Sequence, residues 1–133
     1  MTGPHTRLLL DTHALLWWAF GSKELSRRVD ALLADRSNTI LVSAASAWEI
    51  ATKFRLGRLP EAKVLVQNMP EWFERAGLTE LPMTVAHAQR AGALPNVHRD
   101  PFDRMLAAQS LLENVPVAGR DEALADFGVQ LIW

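Results

Sequence analysis

The sequence contains no cysteine, and this absence removes three classes of protein. A disulfide scaffold, a thiol catalyst and a cysteine-ligated zinc site all depend on that residue. An excess of one charge is also lacking, since 14 Lys and Arg stand against 15 Asp and Glu. The near-neutral total argues against a protein held to nucleic acid by an overall basic field, although it is compatible with a local basic patch.

Long hydrophobic runs are missing as well. The apolar run Leu8–Leu10 ends at Asp11, so it is too short for the core of a signal peptide or for a membrane-spanning helix. We therefore expect a soluble, cytoplasmic protein that makes no membrane contact. No internal repeat, low-complexity tract or linker divides the 133 residues, a length typical of one domain. We expect a single domain over residues 1–133.

What the sequence does contain is an alternation of short β-rich runs and helical segments. The predicted strands cover residues 7–11, 38–42, 79–83, 115–118 and 129–132. The predicted helices cover residues 12–20, from Ser22 or Ser26 to 35, 44–56, 61–69, 70–76, 84–92, 101–113 and 121–127, and a loop covers 93–100. This alternation predicts an α/β fold with a mainly parallel sheet covered by helices on both faces. Pro82 places its strand at an edge of the sheet.

Acidic residues fall where the predicted strands end. Asp11 closes the first strand, Glu49 lies in the helix after the second, and Asp121 follows the fourth. Asp100 and Asp103 lie at the start of the helix before that fourth strand. Because ligands of open parallel sheets bind outside the carboxyl ends of the strands, we expect these acids to converge. Oxygen ligands without Cys or a His cluster favour Mg²⁺ or Mn²⁺, ions that typically serve phosphoryl chemistry.

Each acid also has an ordinary structural interpretation. Asp100 and Asp121 precede helices and fit N-caps. Asp103 would gain from the helix dipole in a first turn, and Glu49 is spaced to pair with a lysine four residues later. Asp11 has the weakest such alternative, because an acid that closes a buried strand is costly unless it is bonded or holds a cation.

Four stretches of sequence carry a more specific pattern. They read LLLDTHALLWW at 8–18, SAASAWEIATKFRLGRL at 43–59, HRDPFDRMLAAQ at 98–109 and AGRDEAL at 118–124. In this order they resemble the PIN-domain family, and more narrowly the VapC toxins of bacterial type II toxin–antitoxin pairs. The resemblance implies a PIN-like three-layer α/β/α domain with a mainly parallel central sheet.

The resemblance also implies a function. It implies an endoribonuclease toxin that acts on tRNA, rRNA or mRNA, paired with a cognate VapB-type antitoxin and commonly assembled as a homodimer. It implies that Mg²⁺ or Mn²⁺ activates a water for hydrolysis of the RNA phosphodiester. The catalytic, metal-binding acids of the family fall on Asp11, Glu49, Asp103 and Asp121, and Asp100 is an additional candidate ligand.

Residues beside these acids are candidates for substrate binding. Thr12 matches the family pattern, and Arg99, Arg104 and Arg120 are placed to neutralise RNA phosphates. The alternative for the arginines is pairing with the acids themselves. One departure concerns Gly119, which stands where the family often has Thr or Ser two residues before the fourth acid.

Tryptophan is frequent, with five residues. Trp48 and Trp72 lie in helical stretches and are predicted to be core residues. Trp17 and Trp18 are adjacent, so one helix cannot bury both on the same side. We expect one of them to face a partner. A protein interface is favoured over stacking on a flipped base.

Two other functions compete with the nuclease. A catalytically inactive PIN-like module could act through protein or RNA contact, and Gly119 is the best support for it. A phospho-signalling receiver has a similar length, but it would need paired acids after the first strand, and Asp11 has no such neighbour.

Overall fold

A five-stranded parallel sheet forms the centre of the computed structural model, which describes residues 5–95 and 98–133. The strands are β1 (Arg7–Leu10), β2 (Thr39–Ser43), β3 (Thr79–Leu81), β4 (Val117–Ala118) and β5 (Leu131–Ile132). They lie in the order β3-β2-β1-β4-β5, and each neighbouring pair is parallel. The carboxyl ends of the strands therefore meet at one edge, with β1 in the middle.

Helices connect the strands and cover the sheet. They are α1 (Thr12–Ala19), α2 (Arg27–Ala34), α3 (Ala44–Arg55), α4 (Lys63–Gln67), α5 (Met69–Arg75), α6 (Val85–Ala93), α7 (Pro101–Glu113) and α8 (Glu122–Ala125), with a 3₁₀ turn at Pro60–Ala62. Side-chain caps explain several of the helix starts. Ser26 accepts a hydrogen bond from the Val29 amide, so Ser26 rather than Ser22 caps α2. Gly57, at φ +76°, follows the end of α3.

Two hydrophobic cores lie on opposite faces of the sheet. Leu8 and Leu10 of β1 belong to one core and Leu9 to the other, as the two-residue period of a strand requires. Helices α1 to α5 pack around the first core, and α7 and α8 pack around the second. Because β1 is buried on both faces, its sequence is apolar without alternation. The three-layer α/β/α prediction is thereby confirmed.

The predicted strands and helices are also confirmed, with shorter bounds in places. The edge position expected for the strand before Pro82 is correct, since β3 ends the sheet. The segment predicted as one helix over 61–69 is instead a 3₁₀ turn followed by α4. The predicted loop over 93–100 includes two residues, 96 and 97, that lie outside the described residues.

The prediction for Trp48 is wrong. Its side chain is 57% exposed and packs edge to face on Phe102, with ring centroids 5.0 Å apart, rather than entering the core. Trp72 is half-buried against the core around α1 to α5, as predicted. Across residues 5–95 and 98–133, no helix combines the length and apolar character that a bilayer crossing needs.

Candidate active site

Asp11 occupies the junction between the central strand and α1. Its backbone N–H donates to the Ala118 carbonyl at 3.1 Å, which continues the β1–β4 ladder by one step. Its carboxylate Oδ1 accepts the Ala14 amide at 2.7 Å and so caps α1. The residue is only 5% exposed. The strand end and the helix cap are thus the same residue, and this fixes an acid at the centre of the sheet edge.

Burial makes the Asp11 carboxylate costly to ionise. The pKa of Asp11 is raised to about 6, chiefly by desolvation and to a smaller extent by the charges of Asp121 and Glu49, against the lowering effects of the Ala14 amide and of His13. A carboxylate in this position would gain from any bound cation, because the cation would offset both desolvation and repulsion.

Asp103 lies near the other candidate acids. The pKa of Asp103 is raised to about 7, first by desolvation and then by the charges of Asp100, Asp121, Glu49 and Asp11. All the acids selected from the sequence therefore share one electrostatic neighbourhood with Asp103. Because they come from separate segments of the chain, the parallel sheet is what brings them together.

The other acids have the structural roles that the sequence also allowed. Asp100 caps α7 through a 2.8 Å bond from the Phe102 amide. Asp121 caps α8 through a 3.0 Å bond from the Ala123 amide. In both caps the acceptor is Oδ1. Capping therefore orients each side chain while its other oxygen, Oδ2, takes no part in the cap.

Glu49 lies on α3 and is buried although its side chain is polar. Its Oε2 pairs with the Lys53 ammonium at 2.7 Å, and its side chain is 8% exposed. The expected i,i+4 pair therefore forms, but at the edge of a buried site rather than on a solvated face.

The chemical type of the donor atoms, carboxylate oxygen, suits a hard divalent cation. Carboxylate oxygens are the ligands that Mg²⁺ and Mn²⁺ prefer, and mutual repulsion among these acids is the condition that such an ion relieves. Within residues 5–95 and 98–133, however, no three acidic or imidazole side chains approach closely enough to form a ready-made metal cage. The acids share a neighbourhood but keep the separate hydrogen bonds described above.

Thr12 belongs to a polar contact that the sequence did not reveal. Its Oγ1 donates to Ser46 Oγ at 3.0 Å, and both hydroxyls are buried. Ser46 precedes Glu49 by three residues, so both side chains lie on one face of α3. That spacing is the only sequence signal that would have drawn attention to Ser46.

The three candidate arginines have different environments. Arg104 donates to the carbonyls of Ala91 at 3.0 Å, Leu94 at 2.6 Å and His98 at 2.9 Å. Its guanidinium therefore anchors the chain near the start of α7, which favours a structural role over the expected contact with RNA phosphates. Arg99 is exposed.

Arg120 lies beside the acids without pairing to them. It bonds Glu24 at 2.7 Å, and its guanidinium lies over the rings of Trp17 and Trp133, at 4.8 and 5.5 Å from their centroids. Trp17 also stacks on His13, with centroids 5.7 Å apart. These groups border an open cavity of about 430 Å³ lined by Asp11, His13, Trp17, Arg120, Asp121 and Glu122.

The departure at Gly119 has a steric explanation. A Cβ at this position would collide with Asp11 Oδ2 and would lie 2.7 Å from Asp11 Cγ. The space that a Thr or Ser side chain would enter is thus occupied by the Asp11 carboxylate.

The PIN domain family model matches residues 8–129. Since that match covers most of the sequence, the chain belongs to the PIN-domain family. Among curated proteins it is similar to Ribonuclease VapC16 of Mycobacterium tuberculosis, with 40% identity over 73 residues. The aligned region is 53% of this chain and 52% of VapC16, so the chain spans about half the length of the curated relative that it matches.

Solved structures show the same fold at low sequence identity. VapBC2 from Rickettsia felis, bound to a DNA fragment from its promoter, matches with a TM-score of 0.70 and 13% identity, over 96% of this chain and 98% of that chain. DNA-bound VapBC from Salmonella typhimurium matches with a TM-score of 0.69 and 16% identity, over 96% and 97%. FitAcB from Neisseria gonorrhoeae matches with a TM-score of 0.65 and 18% identity, over 95% and 96%.

Proposed function

We propose that this chain is a Mg²⁺- or Mn²⁺-dependent endoribonuclease that acts as the toxin of a VapBC-type toxin–antitoxin pair. The observation that carries the proposal is the set of carboxylates whose charges all raise the pKa of Asp103, at the carboxyl edge of a PIN-domain sheet. The likeness to Ribonuclease VapC16 supports hydrolysis of RNA. The fold shared with VapBC and FitAcB structures supports a VapB-type antitoxin as partner.

The proposed cation ligands are four carboxylates. We assign Asp11, Glu49, Asp103 and Asp121 to hold the ion, with Asp100 as an additional candidate. When bound, a divalent ion supplies charge neutralisation at the phosphodiester and a lower pKa for the attacking water.

Residues around the acids position them. The α1 cap holds Asp11 in one orientation. The Thr12–Ser46 bond ties the start of α1 to α3, so that the elements carrying Asp11 and Glu49 keep their spacing. We propose that these contacts preorganise the acids for catalysis.

The remaining parts of the proposal follow from the family resemblance. Arg99 and Arg120 neutralise RNA phosphates near the acids, because both side chains are accessible. The substrate is a tRNA, rRNA or mRNA, the toxin forms a homodimer, and the protein works in the cytoplasm as a single domain.

The test is cleavage of a labelled RNA pool by the purified chain. We expect fragments in Mg²⁺ or Mn²⁺, none in EDTA, and none after Asp11→Asn or Asp103→Asn. Asp30→Asn is the matched control, since Asp30 is an exposed acid on α2. Sequencing the new RNA ends then identifies the substrate. Cleavage that persists in EDTA, or in both site variants, would contradict the proposal.

The alternative is an inactive PIN-like module that works through protein or RNA contact. The absence of a ready-made metal cage among the described residues is the observation that favours it. This alternative expects RNA or antitoxin binding that is unaffected by Mn²⁺ and by Asp103→Asn, with no cleavage product under any condition.

A further inference from the structure

Gly119 differs from the other glycines that the structure describes. Gly21, Gly57, Gly77 and Gly128 have positive φ angles, and a Cβ added to any of them would meet nothing within 4 Å. Gly119 has no positive φ, so its backbone conformation would accept any residue. Among the described glycines, however, it alone has other atoms within 4 Å of the position that a Cβ would take. Space, not backbone conformation, is therefore what requires glycine at this position.

The atoms that fill this space belong to Asp11. A Cβ at residue 119 would overlap Asp11 Oδ2, would lie 2.7 Å from Cγ, and would lie 3.3 Å from Asp11 Cβ. Nonbonded carbon atoms reach their best contact at about 3.5–4.0 Å, so the overlap involves the body of the side chain as well as its tip.

The overlap follows from the β1–β4 register. Leu10 pairs with Ala118, so Asp11 and Gly119 are the next residues along two adjacent parallel strands. The Gly119 amide donates to the Ile132 carbonyl at 3.0 Å, which holds β4 against β5. Neither strand can move aside without breaking ladder bonds.

The Asp11 side chain cannot easily rotate away. Its Oδ1 accepts the Ala14 amide at 2.7 Å as the N-cap of α1, and this bond directs Oδ2 over residue 119. Rotation that relieved a clash at Oδ2 would break the cap.

We propose that Gly119 is a positioning residue: its missing side chain lets the Asp11 carboxylate cap α1 with one oxygen and lie over the end of β4 with the other. The inference rests on the proposed role of Asp11 as a cation ligand. It also gives the glycine at this position a role in the site, so the departure from Thr or Ser is not by itself a sign that the site is lost.

The test measures Mn²⁺ binding by calorimetry and thermal unfolding in EDTA, both on the full chain. Gly119→Ala should raise the Mn²⁺ dissociation constant about 10- to 100-fold, the range typical of residues that orient metal ligands. It should also lower the melting temperature of the metal-free protein. Gly92→Ala is the matched control, because a Cβ there meets nothing within 4 Å, and it should leave the Mn²⁺ affinity unchanged.

A second comparison separates positioning from general damage. Asp11→Ala removes Oδ2 and Cγ, so Gly119→Ala should lower the melting temperature far less in that background than in the unsubstituted chain. If Gly119→Ala alone does not fold, folding of the double variant supports the inference. An equal thermal loss in both backgrounds, or a double variant that also fails to fold, overturns it.

The metal measurement distinguishes this inference from the function on which it rests. Mn²⁺ binding by the unsubstituted chain that Gly119→Ala leaves unchanged contradicts the positioning role alone. No Mn²⁺ binding by the unsubstituted chain contradicts the proposed metal-dependent function, and the positioning of a ligand is overturned with it.

Discussion

The ammonium of Lys53 lies 2.7 Å from Oε2 of Glu49, one helical turn away on α3. The pair is asymmetric, because the lysine side chain is 40% exposed while the glutamate is buried. Lys53 therefore places a positive charge directly beside the buried Glu49 carboxylate. A divalent ion bound to Glu49 would compete with that ammonium.

Replacing Lys53 by Met tests this competition. We expect the free energy of unfolding of the metal-free protein to fall by about 1 kcal/mol, because a buried carboxylate loses its partner. We expect Mn²⁺ to bind more tightly, because the competing ammonium is gone. Calorimetric titration measures the second effect, and Lys63→Met, on an exposed residue of α4, is the control. Unchanged Mn²⁺ affinity would remove Glu49 from the set of ligands.

The stability of the metal-free protein should depend on pH through Asp11 and Asp103. Burial is the main cause that raises the pKa of Asp11 to about 6 and that of Asp103 to about 7, whereas aspartate in an unfolded chain titrates near pH 4. Between about pH 4 and 7 the folded state therefore binds more protons than the unfolded state. The free energy of unfolding should fall as pH rises through this window.

Chemical denaturation in EDTA over that range measures the slope. Asp103→Asn should reduce the slope, because the amide does not titrate and only the contribution of Asp11 remains. Asp30→Asn should leave the slope unchanged. Equal slopes for Asp103→Asn and the unsubstituted chain would mean that folding does not raise the pKa of Asp103.

The elements of the fold could be predicted because their signals are local. Asp11, Ser43 and Asp100 stand directly before the helices that they cap, and β1 is apolar because both of its faces are buried. The acids could be predicted as a group for a related reason, since parallel strands bring their carboxyl ends to one edge.

Other features depended on contacts that the sequence does not display. The helical position of Trp48 predicts a core residue, but α3 turns Glu49 toward the acids and leaves Trp48 exposed against Phe102. The carbonyls of Ala91 and Leu94 that bind Arg104 lie 13 and 10 residues earlier in the chain, so no local pattern announces them. The reason for Gly119 is equally nonlocal, because it depends on the side-chain orientation of Asp11 on the neighbouring strand.

The Thr12–Ser46 hydroxyl pair should contribute to stability as a unit. Thr12→Val leaves Ser46 Oγ buried without its donor, and we expect a loss of about 1–3 kcal/mol in the free energy of unfolding. Ser46→Ala in the Thr12→Val background should cost little more, because the unpaired oxygen is removed. Urea denaturation of the two single variants and the double variant measures the coupling. Additive losses would show that the bond does not link α1 to α3 energetically.

The arginines should separate into structural and RNA-binding residues. Arg104→Gln removes charge-assisted bonds to several carbonyls, so we expect it to lower the free energy of unfolding by about 2 kcal/mol or more. Arg99→Gln and Arg120→Gln should instead weaken RNA binding. Each should reduce the slope of log affinity against log salt by about 0.7, the value for one phosphate contact on a single strand.

Fluorescence anisotropy with a single-stranded RNA, in an Asp103→Asn background that prevents cleavage, measures these slopes. Arg104→Gln should leave the slope unchanged at a temperature where the variant is folded. A reduced slope for Arg104→Gln, with full slopes for Arg99→Gln and Arg120→Gln, would reverse the assignment. RNA would then have to displace the Arg104 guanidinium from its carbonyl partners, and the chain around the start of α7 would rearrange when RNA binds.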